Sequence, residues 1–330
     1  MARIHVLHEN AQWVEPLRAA FAAQDLPFAE WFLDQGEVDF ATPPPAGVFY
    51  NRMSASSHTR DHRFAAELTA AVLAWLERHG RRVVNGGRAL DLEISKARQY
   101  AALEAADIRV PRTIVAVGRD AVVNAARRFG EGPVILKPNR GGKGLGVELF
   151  AHPDLLVAHL DSSDYIPPID GTHLLQDYVR APEPFITRAE FVGGRFLYAV
   201  RVSTAQGFEL CPADACAVGD AFCPTVPGTA AAPARFQILD RIDPARRALF
   251  GRYEAFLAAN RIEIAGIEFI TDLSGEFLTY DVNTNTNYNA EAEAAAGLSG
   301  TATGMGAVAA FLGQALRRAG DASRARIAAF

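Results

Sequence analysis

From Val134 to Val147 the chain reads Val-Ile-Leu-Lys-Pro-Asn-Arg-Gly-Gly-Lys-Gly-Leu-Gly-Val, and no other stretch constrains the fold as much. The apolar run ending in Lys137 predicts a strand, and the four glycines with Arg140 and Lys143 predict the loop that follows it. Glycine permits positive φ and close approach, so consecutive backbone N–H groups can converge on an anion while Lys137 and Lys143 supply charge. A triphosphate can be held this way. An exposed hairpin whose glycines serve only the turn is the simpler alternative. The pattern is not a P-loop, because no Gly-Lys-Ser/Thr follows, and it lacks dinucleotide-fingerprint spacing.

With 330 residues, 49% hydrophobic and 22% charged, the chain predicts two or three globular domains. A net charge of -5 points away from nucleic acid and from anionic membrane surfaces. The N-terminal apolar stretch is too short for a signal peptide and no segment approaches ~18 uninterrupted apolar residues, so the expectation is a cytoplasmic protein without a membrane partner. Cys211, Cys216 and Cys223 are an odd number and fit neither a disulfide framework nor a standard zinc spacing.

Taken in order, Arg3 to His8, Pro27 to Phe32, Gly47 to Asn51 and Arg82 to Asn85 predict strands, with helices at Ala11 to Gln24 and Arg60 to His79. This alternation suggests a small parallel α/β sheet over residues 1–90. Beyond its third strand, Arg52, Ser54, Ser57 and His58 lie where open α/β sheets bind ligands; the alternative is a polar loop in which Thr59 or Asp61 caps the next helix. One helix is expected from Asp91 to Asp107, with Lys96 near its start, where a cation opposes the helix dipole and hints at a role for the side chain; a solvated surface lysine is the default alternative. A strand at Arg112 to Val117, a helix at Arg119 to Phe129, the Gly-rich hairpin and a helix from Pro153 complete a second unit, 91–172. The third unit, 173–330, begins with the strand Leu174 to Val179 and a proline-rich hinge. Strands at Phe185 to Val192, Arg195 to Val202, Ile262 to Thr271 and Glu276 to Val282 follow, with helices at Pro244 to Ala259, Ala290 to Ala296 and Thr303 to Arg318. Residues 205–233 are read as a loop-rich connection that carries specificity.

The last two strands carry Glu268, Asp281 and Asn283 among apolar neighbours. Strand alternation puts Asp281 and Asn283 on one face, where Glu268 of the paired strand can meet them. Three oxygen donors of this kind suit Mg²⁺; a hydrogen-bonded polar cluster at a sheet end is the alternative.

The lysine-bearing strand, Gly-rich flap, hinge strand and carboxylate/Asn set, in this order, resemble the ATP-grasp superfamily, and within it the RimK-type and glutathione-synthetase-type carboxylate-amine ligases. The resemblance covers nearly the whole chain. It implies an ATP-grasp fold, α/β and α+β, behind a Rossmann-like pre-ATP-grasp domain. It implies that Lys96 and Lys137 bind phosphates and that Gly141, Gly142, Lys143 and Gly144 belong to the flap. By the same resemblance Gln176, Asp177, Tyr178 and Val179 form the adenine hinge, and Glu183 stands in for the ribose-binding acid, because Ile186-Thr187 occupy that acid's usual place. Arg188 and Arg201 correspond to arginines at the γ-phosphate and the acyl phosphate. Glu268, Asp281 and Asn283 correspond to ligands of two Mg²⁺ ions, with Mn²⁺ as an alternative. The final pair is Asp-x-Asn where Glu-x-Asn is more usual.

The implied reaction joins a carboxylate to an amine through an acyl phosphate, with release of ADP and phosphate. Arg52, Ser57, His58 and Asn285 are the candidate substrate residues. The substrates are small molecules or peptides, or an acceptor on a carrier protein, and family habit suggests a homo-oligomer. The family's Arg-x-Asn pair and small-residue-Pro-Gly turn are replaced here by Phe208 to Asp214 and by Asn285, Asn287, Tyr288 and Asn289, so the resemblance does not carry the substrate over. An ATP-grasp kinase, a ligase with a non-carboxylate acceptor and a non-catalytic ATP-binding module remain as rivals.

Overall fold

The computed structural model describes residues 2–142, 144–204 and 235–328, with side chains through Asp321. Its first layer is a parallel sheet of β1 (Arg3–His8), β2 (Phe28–Phe32), β3 (Gly47–Asn51) and β4 (Arg82–Val84), in the order β2-β1-β3-β4. Period-two alternation gives this sheet two buried faces. Leu7 and Phe49 pack on Leu73 and Leu76 of α2 (Ala65–Arg78), and Ile4, Val6, Val48 and Tyr50 face the other way. That second face is covered by α1 (Glu15–Ala23) and by Val308 and Leu312 of α9 (Gly304–Ala328). Each of those two side chains is buried and contributes roughly 1.5–3 kcal/mol. The end of the described chain thereby stabilises its beginning.

The expected helix across Asp91 to Asp107 is two helices, α3 (Gly87–Glu93) and α4 (Lys96–Glu104). Ser95 between them is extended, and its hydroxyl accepts from Arg98 N at 3.3 Å. A serine that bonds the backbone this way favours a helix start over a helix interior. Lys96 therefore opens α4. At the preceding helix neither Thr59 nor Asp61 is the cap. The N-cap of α2 is Phe64, and Asp61, at φ 63°, ends a 3₁₀ turn at Ser57–Arg60.

The second sheet joins β5 (Thr113–Val117), β6 (Val134–Pro138), β7 (Glu148–Phe150) and β8 (Thr172–Asp177), antiparallel in the order β5-β8-β6-β7. One face is closed by α5 (Arg119–Arg127) and α6 (Pro153–Leu160), around Val122, Val134, Leu136 and Leu156. The opposite face carries Thr113, Gln176 and Ile135 in one row and Val115, Leu174 and Lys137 in the next.

The third sheet is antiparallel: β9 (Phe185–Val192), β10 (Arg195–Ser203), β11 (Phe236–Ile238), β12 (Ile264–Thr271) and β13 (Phe277–Asn283), in the order β11-β10-β9-β12-β13. Strand β11 was not expected from the sequence. The largest core lies on one face of this sheet, where Phe191 and Phe269 meet Phe250, Tyr253 and Phe256 of α7 (Pro244–Ala259). Asn85, left-handed at φ 55° and fully buried, ties the first sheet to the third. It donates to Ile264 O at 2.7 Å and Thr284 O at 2.9 Å, and its Oδ1 accepts from Glu263 N and Ile264 N.

Candidate active site

The open face of the second sheet, the site face of the third and the loops after β3 enclose a cavity of about 480 Å³. Its apolar end is lined by Ile135, Val147, Ile186 and Ile270 and by Gln176, Asp177, Tyr178 and Val179 at the end of β8. Lys137 reaches the cavity from β6 and is 5% exposed. Its ammonium donates to Gln176 Oε1 at 2.9 Å and to the Tyr100 hydroxyl, and lies 5.0 Å from the Tyr100 ring centroid. Tyr100 in turn donates to Tyr280 O at 2.8 Å. Burial, reinforced by the nearby Lys96 charge, brings the Lys137 amine down to about 7.

The third sheet sets the opposing charges by register. Glu268 on β12 pairs with Asp281 on β13 and with Arg188 on β9, so the three side chains stand abreast on one face. Asn283 is two residues from Asp281 and shares that face. Lys96 Nζ donates to Asp281 Oδ1 at 2.6 Å. Arg188 donates from Nη1 to Glu268 Oε1, from Nε to Glu190 Oε1 and from Nη2 to Thr286 Oγ1, each at 2.6 Å. Its guanidinium crosses Gly266, where a Cβ would overlap it. Burial pushes the Glu268 and Glu190 carboxyls up, while Arg188 pulls both down.

Asn283 Nδ2 points toward Gly266 O and Glu268 Oε1, both at 3.5 Å, which turns its Oδ1 the other way, beside the two carboxylates. Among the described residues no three His, Cys, Asp or Glu side chains are grouped so as to hold a metal ion by themselves. Two carboxylates and a carboxamide are hard oxygen donors that fit Mg²⁺ completed by water and phosphate.

The Gly-rich loop lies against this centre. Gly144 and Gly146 have φ of 78° and 72°, and Gly141, Gly142 and Gly144 line the cavity. The loop's base is fixed by Asn139, whose Oδ1 accepts from Ala97 N at 3.0 Å and Ser95 Oγ at 3.1 Å and whose Nδ2 donates to Asp170. Lys143, residues 205–233 and the three cysteines lie outside the described residues.

Arg201 is not brought to the site. A β-bulge between Phe196 and Tyr198 pairs Arg201 with Thr187, the residue beside Arg188, and adjacent residues of a strand point to opposite faces. Arg201 sits over the Phe185 ring at 3.7 Å and is ion-paired with Glu183, whereas Glu183 itself lines the cavity.

At the polar end the wall consists of Trp13, Ser54, Ser56, Glu93, Asn285 and Asn287. Ser57 and His58 are not among the lining residues, and the Ser57 hydroxyl and His58 Nδ1 are buried without a hydrogen bond among the described residues. Arg52 is buried behind the wall. The sequence reading missed Glu93, whose carboxyl burial pushes up and which accepts from Ala55 N at 3.3 Å and Thr284 N at 2.7 Å. It also missed Tyr100, Glu190 and Trp13. Asn287, which the sequence reading named only as part of the altered turn, lines the cavity together with Asn283 and Asn285, whereas Thr284 and Thr286 do not.

A Gly-rich loop on an antiparallel sheet, facing an acid-bearing sheet across a cavity behind an N-terminal parallel sheet, is the ATP-grasp fold. Solved structures bear this out. Over 94% of this chain and 99% of the other, the RimK domain ATP-grasp protein of Sphaerobacter thermophilus superposes with a TM-score of 0.61 at 18% identity. The D-cycloserine synthetase DcsG superposes over 95% of this chain and 99% of its own, with a TM-score of 0.63 at 18% identity. In sequence, 148 residues are 28% identical to a probable alpha-L-glutamate ligase of Teredinibacter turnerae, covering 44% of this chain and 48% of that relative. No protein-family model matches the chain. Among the described residues no helix is long and apolar enough to cross a membrane.

Proposed function

We propose that the protein is an ATP-dependent carboxylate-amine ligase that forms an amide or peptide bond and releases ADP and phosphate. The reading rests on one observation: Lys96, ion-paired with Asp281, and Lys137 line one cavity with Glu268, Asp281 and Asn283, and that cavity has an apolar end and a polar end. The apolar end suits an adenine ring beside the backbone of Gln176 to Val179, with Glu183 near the ribose. Glu268, Asp281 and Asn283 would hold one or two Mg²⁺ ions, for which Mn²⁺ can substitute; bound there, the metal neutralises phosphate charge.

In the first step a carboxylate oxygen attacks the γ-phosphorus, the bond to the β,γ-bridging oxygen breaks and ADP leaves. The amine then attacks the acyl carbon, the bond to the phosphate oxygen breaks, and the amine proton passes to solvent. Positioning and charge neutralisation are the protein's main tasks in phosphoryl transfer. Lys96, Lys137 and Arg188 perform them from three directions, and Arg188, with three of its five N–H donors engaged, has two left for developing charge. A small or peptide substrate, a cytoplasmic location and a homo-oligomer belong to the same reading.

The test is ADP and phosphate release from Mg-ATP with pools of amino acids and small carboxylates, singly and in pairs. Release that needs both a carboxylate and an amine supports the ligase. Release with one acceptor makes the protein a kinase, and nucleotide binding without release in any pool leaves a binding module.

A further inference from the structure

The polar end of the cavity contains a donor set whose polarity is imposed from behind. Arg52 is 2% exposed and makes no ion pair with a carboxylate among the described residues. Its guanidinium donates to Trp13 O at 3.0 Å, Thr286 O at 3.1 Å, Asn285 Oδ1 at 3.0 Å and Asn287 Oδ1 at 2.7 Å. A guanidinium only donates, so both carboxamides must turn their oxygens to Arg52 and their NH₂ groups away from it. The amide orientation follows from that chemistry. Asn285 and Asn287 both line the cavity, and among the described residues neither Nδ2 hydrogen-bonds a protein acceptor.

The charge balance points the same way. A buried cation needs compensation, and four neutral oxygens supply only part of it. Glu93, the carboxylate on this wall, already accepts from Ala55 N with one oxygen and from Thr284 N and Asn285 N with the other. An anion entering the cavity would meet two polarised NH₂ groups backed by a partly compensated charge, with the paired Ser54 and Ser56 hydroxyls on the same wall. Asn285 lies two residues from Asn283, at most about 7 Å along the chain, so such an anion sits within one small-molecule length of the phosphate end.

We infer that Asn285 and Asn287, oriented by Arg52, form a carboxylate-binding subsite that selects a substrate carrying a free carboxylate over the matching carboxamide. Arg52 is a positioning residue that does not touch the substrate. A carboxamide gives its single oxygen to one of the two NH₂ groups and brings its own NH₂ against the other, so it binds more weakly than the carboxylate. The inference rests on the ligase reading and names the chemistry of its acceptor end.

The experiment measures thermal stabilisation of the full chain loaded with Mg²⁺ and a non-hydrolysable ATP analogue. The probes are matched pairs at millimolar concentration: acetate and acetamide, L-alanine and L-alaninamide, L-glutamate and L-glutamine. At least one carboxylate is expected to stabilise the protein where its amide partner does not. Asn285→Asp and Asn287→Asp keep the shape and the bond to Arg52 but replace donors with negative oxygens. Each should weaken carboxylate binding about tenfold to a hundredfold while analogue binding stays unchanged. Arg52→Lys keeps the charge but loses the fork that fixes two carbonyls, so the carboxylate-to-amide preference should fall; a loss of stability alone would leave that ratio unmoved. Equal binding of amides and carboxylates, wild-type carboxylate affinity in the Asp variants, or no carboxylate response from a protein that binds the analogue would overturn the subsite. Failure to bind the analogue at all would instead overturn the ligase reading.

Discussion

Lys137 gives the sharpest quantitative prediction, because its ammonium is buried between Gln176 and Tyr100 with Lys96 nearby. A fall from 10.5 to about 7 favours the neutral amine by ~5 kcal/mol. Above pH 7 the free protein therefore holds this lysine largely unprotonated, and an arriving triphosphate restores the charged form. Nucleotide binding should take up ~0.9 proton per site at pH 8 and close to none at pH 5, with affinity weakening toward tenfold per pH unit above pH 7. Calorimetric titration of Mg-ATP in buffers of different ionisation enthalpy reads this uptake directly. Lys137→Met should abolish it. Zero uptake at pH 8, or unchanged uptake in the Met variant, would refute the reasoning. Stability has its own sign. The folded protein releases this proton near pH 7 and the unfolded chain near 10.5, so the contribution rises with pH across that window and is absent below it.

Four further outcomes follow from the same geometry. Arg188→Ala leaves Glu190 and Glu268 buried without their cation and should lower unfolding free energy by about 3–5 kcal/mol in a denaturant titration. Arg201→Ala removes a half-exposed pair on the other face and should change stability by less than ~1 kcal/mol with little effect on ADP release, which separates the two arginines. Gly266→Ala forces a methyl group into the Arg188 guanidinium and should destabilise by about 1–3 kcal/mol, read from the thermal midpoint. Asp281→Asn should remove turnover together with its Mg²⁺ dependence; ADP release at the wild-type rate would show that Asp281 is not a ligand.

Local chemistry and short periodicities fixed a large part of this protein. Apolar alternation and turn residues located strands such as Gly47–Asn51 and Phe185–Val192, and proline and glycine bounded α6 and the β9-β10 turn. Residues two apart on a strand share a face in any fold, which is why Asp281 and Asn283 were legible as a pair. Lys96 was legible too, as a cation opposing a helix dipole, although the break at Ser95 was not.

Tertiary structure decided what depends on register and on distant packing. Without the bulge between Phe196 and Tyr198, the hairpin would pair Arg201 with Ile186 and put it on the face of Arg188; one extra residue reverses that. No local signal reports such a slip, because β10 has the same composition either way. The covering of the N-terminal sheet by α9 and the meeting of Arg52 with Asn285 and Asn287 join residues more than two hundred positions apart. Only the folded chain brings Arg52 to those oxygens, so only the fold decides that two asparagines face the cavity as donors.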